Sequence, residues 1–416
     1  MTTSLRVLMV SDVSPLEVRG GAERVLWEQA SRLAGAGHRV RVLSRSPGAG
    51  ESEAVERHGV RIRHFSADRR SFLRFFVDSL IHARQIIREE IVESGPDILH
   101  LHQPLSGFGA LSTREGQRIP SLYTFHSPAA LEYRSRQNTT THHLRGLVGG
   151  LGMAGLWLLE GFCLRRASHI QVLSDFSAGL LRKIYRIGPA RIVKIPGGVN
   201  SEHFRPAEDR NAIRNTLRLP TGRFLLLTVR NLEPRMGLDA LIQAMAIVRR
   251  EIPDVLLLIG GAGSLRANLE SLTGSLTLGD HVRFLEFISE TELPLYYQVC
   301  DAFVLPTREL EGFGLVAVES LACGTPVLGT PVGAIPEMLV ALQPNLLFDG
   351  VAPESIARGI LRHVKRAQGD RRGYEALRRR CRDYATARFG WDQVIKQLEQ
   401  ELLNLSGTSK RENGKG

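Results

Sequence analysis

The sequence predicts an α/β protein made of two doubly wound domains, each with a parallel sheet, facing a cleft. Three observations carry this expectation. The 416 residues exceed one ordinary core and suit two domains of about 200 residues each. Short apolar runs alternate with helical patterns through the first half, which is the signature of βαβ units. The same alternation then restarts beyond Val199–Pro206.

In the first half, Val7–Val10 is the opening strand; Arg6 just before it argues against a signal peptide. A Gly20-Gly21 loop and a helix through Ala34 follow. Strands are expected at His38–Leu43 and Val60–Phe65, a helix over 71–94, and strands at Asp97–Leu101, Ser121–Phe125, His169–Leu173 and Arg191–Ile195. The second half gives strands at Phe224–Val229, Val255–Ile259, Val282–Phe284, Ala302–Leu305 and Pro326–Gly329, with a helix over 237–250. A last helical segment spans 374–405. The expected domains are 1–200 and 201–385, then a C-terminal helix over 386–405 packing back on the first domain and a disordered tail over 406–416.

Composition narrows the function classes. Hydrophobic residues at 43% and charged residues at 23% are ordinary for a soluble globular chain. Cys163, Cys300, Cys323 and Cys381 lie far apart, so neither a zinc site nor a disulfide framework is signalled, and reduced, packed thiols in a cytoplasmic protein are expected. Residues 1–205 hold 28 Lys+Arg against 18 Asp+Glu, which leaves +10 of the net +11 in the first half. That charge suits an anionic acceptor or the inner face of a plasma membrane. No recognition helix or RNP-like motif accompanies it, so a nucleic-acid partner is not expected. Leu144–Leu164 is apolar and glycine-rich, but only fourteen uncharged residues separate Arg145 from Glu160. That is too short to span a bilayer. An internal helix and an interfacial membrane contact both remain open for it.

The chemistry concentrates in Glu311-Gly312-Phe313-Gly314-Leu315 and Glu319, which follow the strand Ala302–Leu305. A strand, a glycine turn and a helix N-terminus form an anion site, because free N–H groups and the helix dipole point into it. Carboxylates there suit hydroxyl groups beside a phosphate. Glu319 lies eight positions after Glu311, which would place both on one helix face. Alone, the pair would equally serve as a turn cap and a solvated helix residue. His126 ends the strand Ser121–Phe125 and points toward the crevice. His100 and His102 alternate along a strand and are expected to face opposite ways. Arg230 and Arg235 stand five residues apart, a spacing able to clamp a diphosphate. Gly260-Gly261-Ala262-Gly263 opens a helix after another strand, and Phe287-Ile288 follows the next.

These motifs together resemble the family 4, group 1 glycosyltransferases over roughly residues 5–390. Glu311 to Glu319 resembles that family's E-x7-E motif, Gly20-Gly21 its N-terminal glycine loop, and Ile195-Pro-Gly-Gly-Val-Asn200 its interdomain segment. The resemblance implies a two-Rossmann (GT-B) fold and retaining, metal-independent transfer of a hexose from a UDP- or GDP-linked sugar, with no cofactor beyond that co-substrate. It implies a glycan, lipid or lipid-linked acceptor of cell-envelope type. Glu311 would hold sugar hydroxyls and Glu319 the ribose; His126 would lie at the sugar, and Arg230 and Arg235 at the diphosphate. Gly20, Gly21, Gly261, Gly263 and the Gly312–Leu315 turn would admit the nucleotide, with Phe287 and Ile288 beside its base. The chain departs from the family where Asn231 and Met236 replace an Arg and a Lys. A nucleotide-sugar-binding scaffold, or a phosphorylase or sugar-phosphate synthase of the same fold, therefore stays open. An NAD-dependent oxidoreductase is disfavoured by the missing dinucleotide fingerprint.

Overall fold

A computed structural model describes residues 4–16, 20–46, 52–66, 72–137 and 143–413. The chain divides into two compact units. One comprises Met1–Arg134, His142–Gly197 and Asp392–Gly416, and the other Ser135–Thr141 and Gly198–Trp391.

The first unit carries strands β1 (Arg6–Ser11), β2 (Arg39–Arg45), β3 (Ser52–Arg57), β4 (Val60–Phe65), β5 (Ile98–Leu101), β6 (Ser121–Phe125), β7 (His169–Val172) and β8 (Ile192–Lys194). They form one sheet in the order β3-β4-β2-β1-β5-β6-β7-β8. All neighbours pair in parallel except β3, which runs antiparallel to β4 through a turn at His58-Gly59. The sequence reading did not include β3: its polar Ser-Glu-Ala-Val-Glu-Arg run belongs to an edge strand and carries no apolar signal. Helices α1 (Gly21–Gly35), α2 (Phe72–Ser94), α3 (Pro104–Leu111), α4 (Ala129–Gln137), α5 (His143–Arg166) and α6 (Asp175–Leu180) connect the strands. Apolar side chains of β1, β5, β6 and β7, among them Val10, Leu101, Phe125 and Val172, join Ile87 of α2 and Leu164 of α5 in one buried cluster. The apolar stretch around Leu144–Leu164 is thus one helix, and part of it is core. Among the described residues no helix is long and apolar enough to cross a membrane.

The second unit has a five-stranded, all-parallel sheet in the order β11-β10-β9-β12-β13. Its strands are β9 (Phe224–Val229), β10 (Val255–Gly260), β11 (Val282–Glu286), β12 (Ala302–Leu305) and β13 (Val327–Gly329). Continuous runs such as Val-Leu-Leu-Leu-Ile in β10 fit strands covered on both faces, and every residue of β10 is buried. Around it lie α7 (Arg210–Thr216), α8 (Leu238–Glu251), α9 (Arg266–Ser275), α10 (Leu293–Val299), α11 (Leu315–Ala322), α12 (Ile335–Leu342), α13 (Pro353–Gly369) and α14 (Arg371–Phe389). The segment expected as one helix over 374–405 is broken at Gly390, where α14 ends and α15 (Trp391–Asn413) begins. The Val199 N–H donates to Phe389 O at 2.7 Å there, and the Trp391 N–H donates to Val199 O at 3.3 Å. Helix α15 also runs on into the segment read as a tail. In the first unit its Glu399 meets His38 at 3.2 Å, and its Glu401 meets His169.

One buried ion network fixes the second unit. Asp301 accepts from Arg210 at 2.7 Å, from Arg214 at 2.8 Å and from the Leu225 N–H of β9 at 2.8 Å. Arg214 is only 5% exposed. Replacing Asp301 by Ala leaves that guanidinium buried without its carboxylate, at a cost of about 3–5 kcal/mol. Urea unfolding of Asp301→Ala is expected to show this loss, and a midpoint shift worth under about 1 kcal/mol would remove the network from the account.

Candidate functional site

In the second unit the strand order reverses between β9 and β12. Ligands of such sheets bind outside the carboxyl ends of the strands at this reversal. Arg230 follows β9 and Pro306-Thr307 follows β12. The Arg230 guanidinium is buried and donates through Nη2 to Glu311 Oε2 at 2.7 Å and to the Met236 sulfur. Thr307 Oγ1 donates to the same carboxylate oxygen at 3.2 Å. Glu311 is 8% exposed, so this is a buried, charge-assisted pair at the sheet's ligand end.

Two glycines let the backbone reach this arrangement. Gly261 has φ +124°, and a Cβ on it would lie 1.9 Å from Arg230 O. The Arg230 N–H donates to Gly260 O and the Leu232 N–H to Ala262 O, each at 3.0 Å. Gly333 has φ +61°, and a Cβ there would lie 2.2 Å from Glu311 O, which accepts from the Ala334 N–H at 2.9 Å. These glycines therefore admit the segments that carry Arg230 and Glu311. A Cβ on Gly263 would likewise fall 2.6 Å from the Leu232 backbone.

Arg235 is turned elsewhere. Its Nη1 donates to Leu310 O at 3.1 Å, and its own carbonyl accepts from the Arg308 N–H at 2.8 Å, so it braces the loop that delivers Glu311. Helix α11 starts at Leu315 with Gly314 as its N-cap, so Glu311 precedes the helix and the expectation of one shared helix face is corrected. Glu319 lies inside α11, is 2% exposed and accepts from Tyr297 Oη at 3.0 Å. It is not the solvated residue that its helix position alone would allow. The Phe313 ring packs edge-on against Phe389 at 5.5 Å between centroids, while Gly312 and Leu315 are half-buried. Phe287 is 65% exposed just beyond β11, and Ile288 beside it is buried against Gly260. The sequence reading missed Thr307 and Tyr297 as partners of the two glutamates. Thr307 could have been found from its place directly after a buried strand, whereas nothing local marks Tyr297.

The first unit reverses its strand order between β1 and β5. Gly20 caps α1 and Gly21 is its first residue. At the carboxyl ends of β5 and β6, His102 lies against His100 at 4.4 Å between ring centroids and against His126 at 5.8 Å. The expectation that His100 and His102 face opposite ways is therefore corrected: residues two apart along a strand share a face, and the two rings meet. His100 Nε2 lies 2.7 Å from Thr124 Oγ1, whereas both ring nitrogens of His102 and Nε2 of His126 have no hydrogen-bond partner. Burial pushes the His100 imidazole down to about 3 and His126 down to about 4, so both are neutral near pH 7. Among the described residues no group of three His, Cys, Asp or Glu side chains is arranged to hold a metal ion.

Comparison with known proteins gives a consistent result. Residues 209–388 match the family described as "Glycosyl transferases group 1", and residues 19–203 match "Glycosyltransferase Family 4". The D-inositol 3-phosphate glycosyltransferase of Kineococcus radiotolerans is 30% identical over 335 residues, covering 76% of this chain and 74% of that protein. Sucrose-phosphate synthase from Thermosynechococcus elongatus superposes with a TM-score of 0.80 at 24% identity, over 97% of this chain and 100% of that one. Anabaena HepE in complex with UDP-glucose superposes with a TM-score of 0.74 at 18% identity, over 96% of this chain and 100% of that one. Two doubly wound units, a carboxylate and an arginine paired at a strand reversal, and these matches agree: the chain belongs to the group 1 (family 4) glycosyltransferases and has the GT-B fold.

Proposed function

We propose that the protein is a retaining hexosyltransferase that takes its sugar from a nucleoside diphosphate and needs no metal ion. The observation that carries this reading is the Arg230–Glu311 pair at the β9/β12 reversal, 2.7 Å across and buried. A guanidinium there stabilises charge as it develops on a leaving diphosphate, and the carboxylate accepts sugar hydroxyls. Glu319 supplies a second carboxylate in α11 for the ribose, with Tyr297 fixing its orientation, and the exposed Phe287 ring offers a face to the base. His126, neutral and with an unpartnered Nε2, is suited to a sugar hydroxyl. HepE carries UDP-glucose and the Kineococcus relative is named for an inositol phosphate. UDP-glucose and a phosphorylated polyol are therefore the first donor and acceptor to try. A lipid-linked acceptor at an anionic membrane suits the basic first half and exposed Trp157 and Leu158 of α5.

The test is a panel of UDP- and GDP-sugars, with and without chelator, against a polyol phosphate, a glycan and anionic vesicles holding lipid-linked sugar. Turnover that retains anomeric configuration and is unchanged by chelator is expected. Loss of activity on chelation would overturn the metal-free reading. Met236, which stands where the family has a lysine, favours a second reading as a binding scaffold. Tight nucleotide binding with no hydrolysis or transfer from any donor would establish it.

A further inference from the structure

Glu160 breaks the apolar run of α5, and the sugar-transfer chemistry makes no use of it. It is 2% exposed. Its Oε2 accepts from the Tyr185 hydroxyl and, at 3.0 Å, from the Ala129 N–H. Ala129 is the first residue of α4, three residues past His126, and only Ser127-Pro128 lies between them. The Pro128 carbonyl accepts from the Leu131 N–H at 3.0 Å and the Glu132 N–H at 3.1 Å, so the turn after His126 is built into the start of α4. A carboxylate at a helix N-terminus satisfies a free N–H and favours the helix dipole. From a different helix, Glu160 thus anchors the short connection on which His126 sits.

We propose that Glu160 is a positioning residue for His126, holding the His126–Ala129 turn most firmly when its carboxylate is ionised. The proposal rests on the sugar-contact role given to His126. The groups facing Glu160 are Tyr185, Tyr123 of β6 and Glu132 of α4, with Cys163 on its own helix and Asp12 after β1 close enough to interact with its neighbours. Burial pushes Glu160 up to about 7, while Tyr185 is raised far above its ordinary range and stays a donor. As pH falls through 7 the carboxylate gains its proton, becomes a weaker acceptor for the Ala129 N–H and loses its attraction to the helix dipole. His126 does not titrate in this window, since burial holds it near 4.

Two readouts test this. In the wild type kcat is expected to fall about tenfold from pH 8 to pH 6 along a one-proton limb. Glu160→Gln keeps an oxygen acceptor for Ala129 but carries no charge at any pH, so it should run near the wild type's pH 6 rate across the range and lose that limb. Glu160→Ala is expected to lower kcat roughly tenfold at pH 8, with the donor KM within about threefold. The second readout needs no turnover. The ring resonances of His126 in 15N-histidine-labelled protein, assigned with His126→Gln, should shift with a midpoint near pH 7 in the wild type and not in Glu160→Gln. Glu160→Gln retaining the acid limb, or His126 signals unchanged between pH 6 and pH 8, would overturn the proposal. If Glu160→Ala does not fold, Glu160→Gln still decides. Coupled His126 signals in a protein that turns over no nucleotide sugar would sink the transferase reading and leave this one standing.

Discussion

Glu311→Ala is expected to lower kcat/KM for the nucleotide sugar by roughly 10²–10³-fold, the range seen when one preorganised polar group facing the reacting centre is removed. The substitution acts twice. It removes the acceptor proposed for the sugar hydroxyls, and it leaves Arg230 and Thr307 aimed at a carboxylate that is gone. Glu311→Gln is not a mild alternative. An amide oxygen could still accept from both neighbours, but it carries no charge, so the buried Arg230 guanidinium would lose its counter-ion. Initial-rate kinetics across donor concentrations checks the result, with far-UV circular dichroism showing that the fold is kept. Turnover within about threefold of wild type would remove Glu311 from the site.

The legible part of this molecule is the part whose signal is local. Val255-Leu-Leu-Leu-Ile could be read as a strand because both faces are covered, and Glu311 could be singled out because a glycine turn after a buried strand leaves little else for a carboxylate to do. Where physics acts over distance the reading ran out. Glu160 looked like an interruption in an apolar helix, and only the fold brings it to Ala129 and Tyr185, 31 and 25 residues away. Glu319 looked solvated or ligand-facing, yet its first partner is Tyr297 on α10. Gly261 was expected to make room for a ligand, and the fold shows that it also makes room for the backbone of Arg230. His100 and His102, two residues apart, share a face as strand alternation requires, so the expectation that they face apart had misapplied that rule.

Arg230→Met should be the second large effect, and combining it with the first separates catalysis from folding. The side chains of Arg230 and Glu311 are 6% and 11% exposed, so neither is well solvated without the other. Removing either alone leaves a buried charge unpaired, at about 3–5 kcal/mol of stability, whereas removing both leaves none. Arg230→Met and Glu311→Gln should therefore each lower the urea midpoint, and the double variant should recover a large part of the loss, with a coupling of roughly 1–3 kcal/mol. Activity should behave differently. Arg230→Met is expected to cut kcat/KM roughly 10²-fold by removing charge stabilisation at the leaving diphosphate, and restoring stability in the double variant cannot restore that charge. Arg235→Met serves as the contrast: its guanidinium braces Leu310 O, so its effect should fall on stability more than on affinity for free nucleoside diphosphate. Calorimetric titration of the nucleotide into Arg230→Met and Arg235→Met decides between the two arginines. If Arg235→Met loses the nucleotide and Arg230→Met keeps it, the phosphate contact belongs to Arg235, and the Arg230–Glu311 pair is a structural strut.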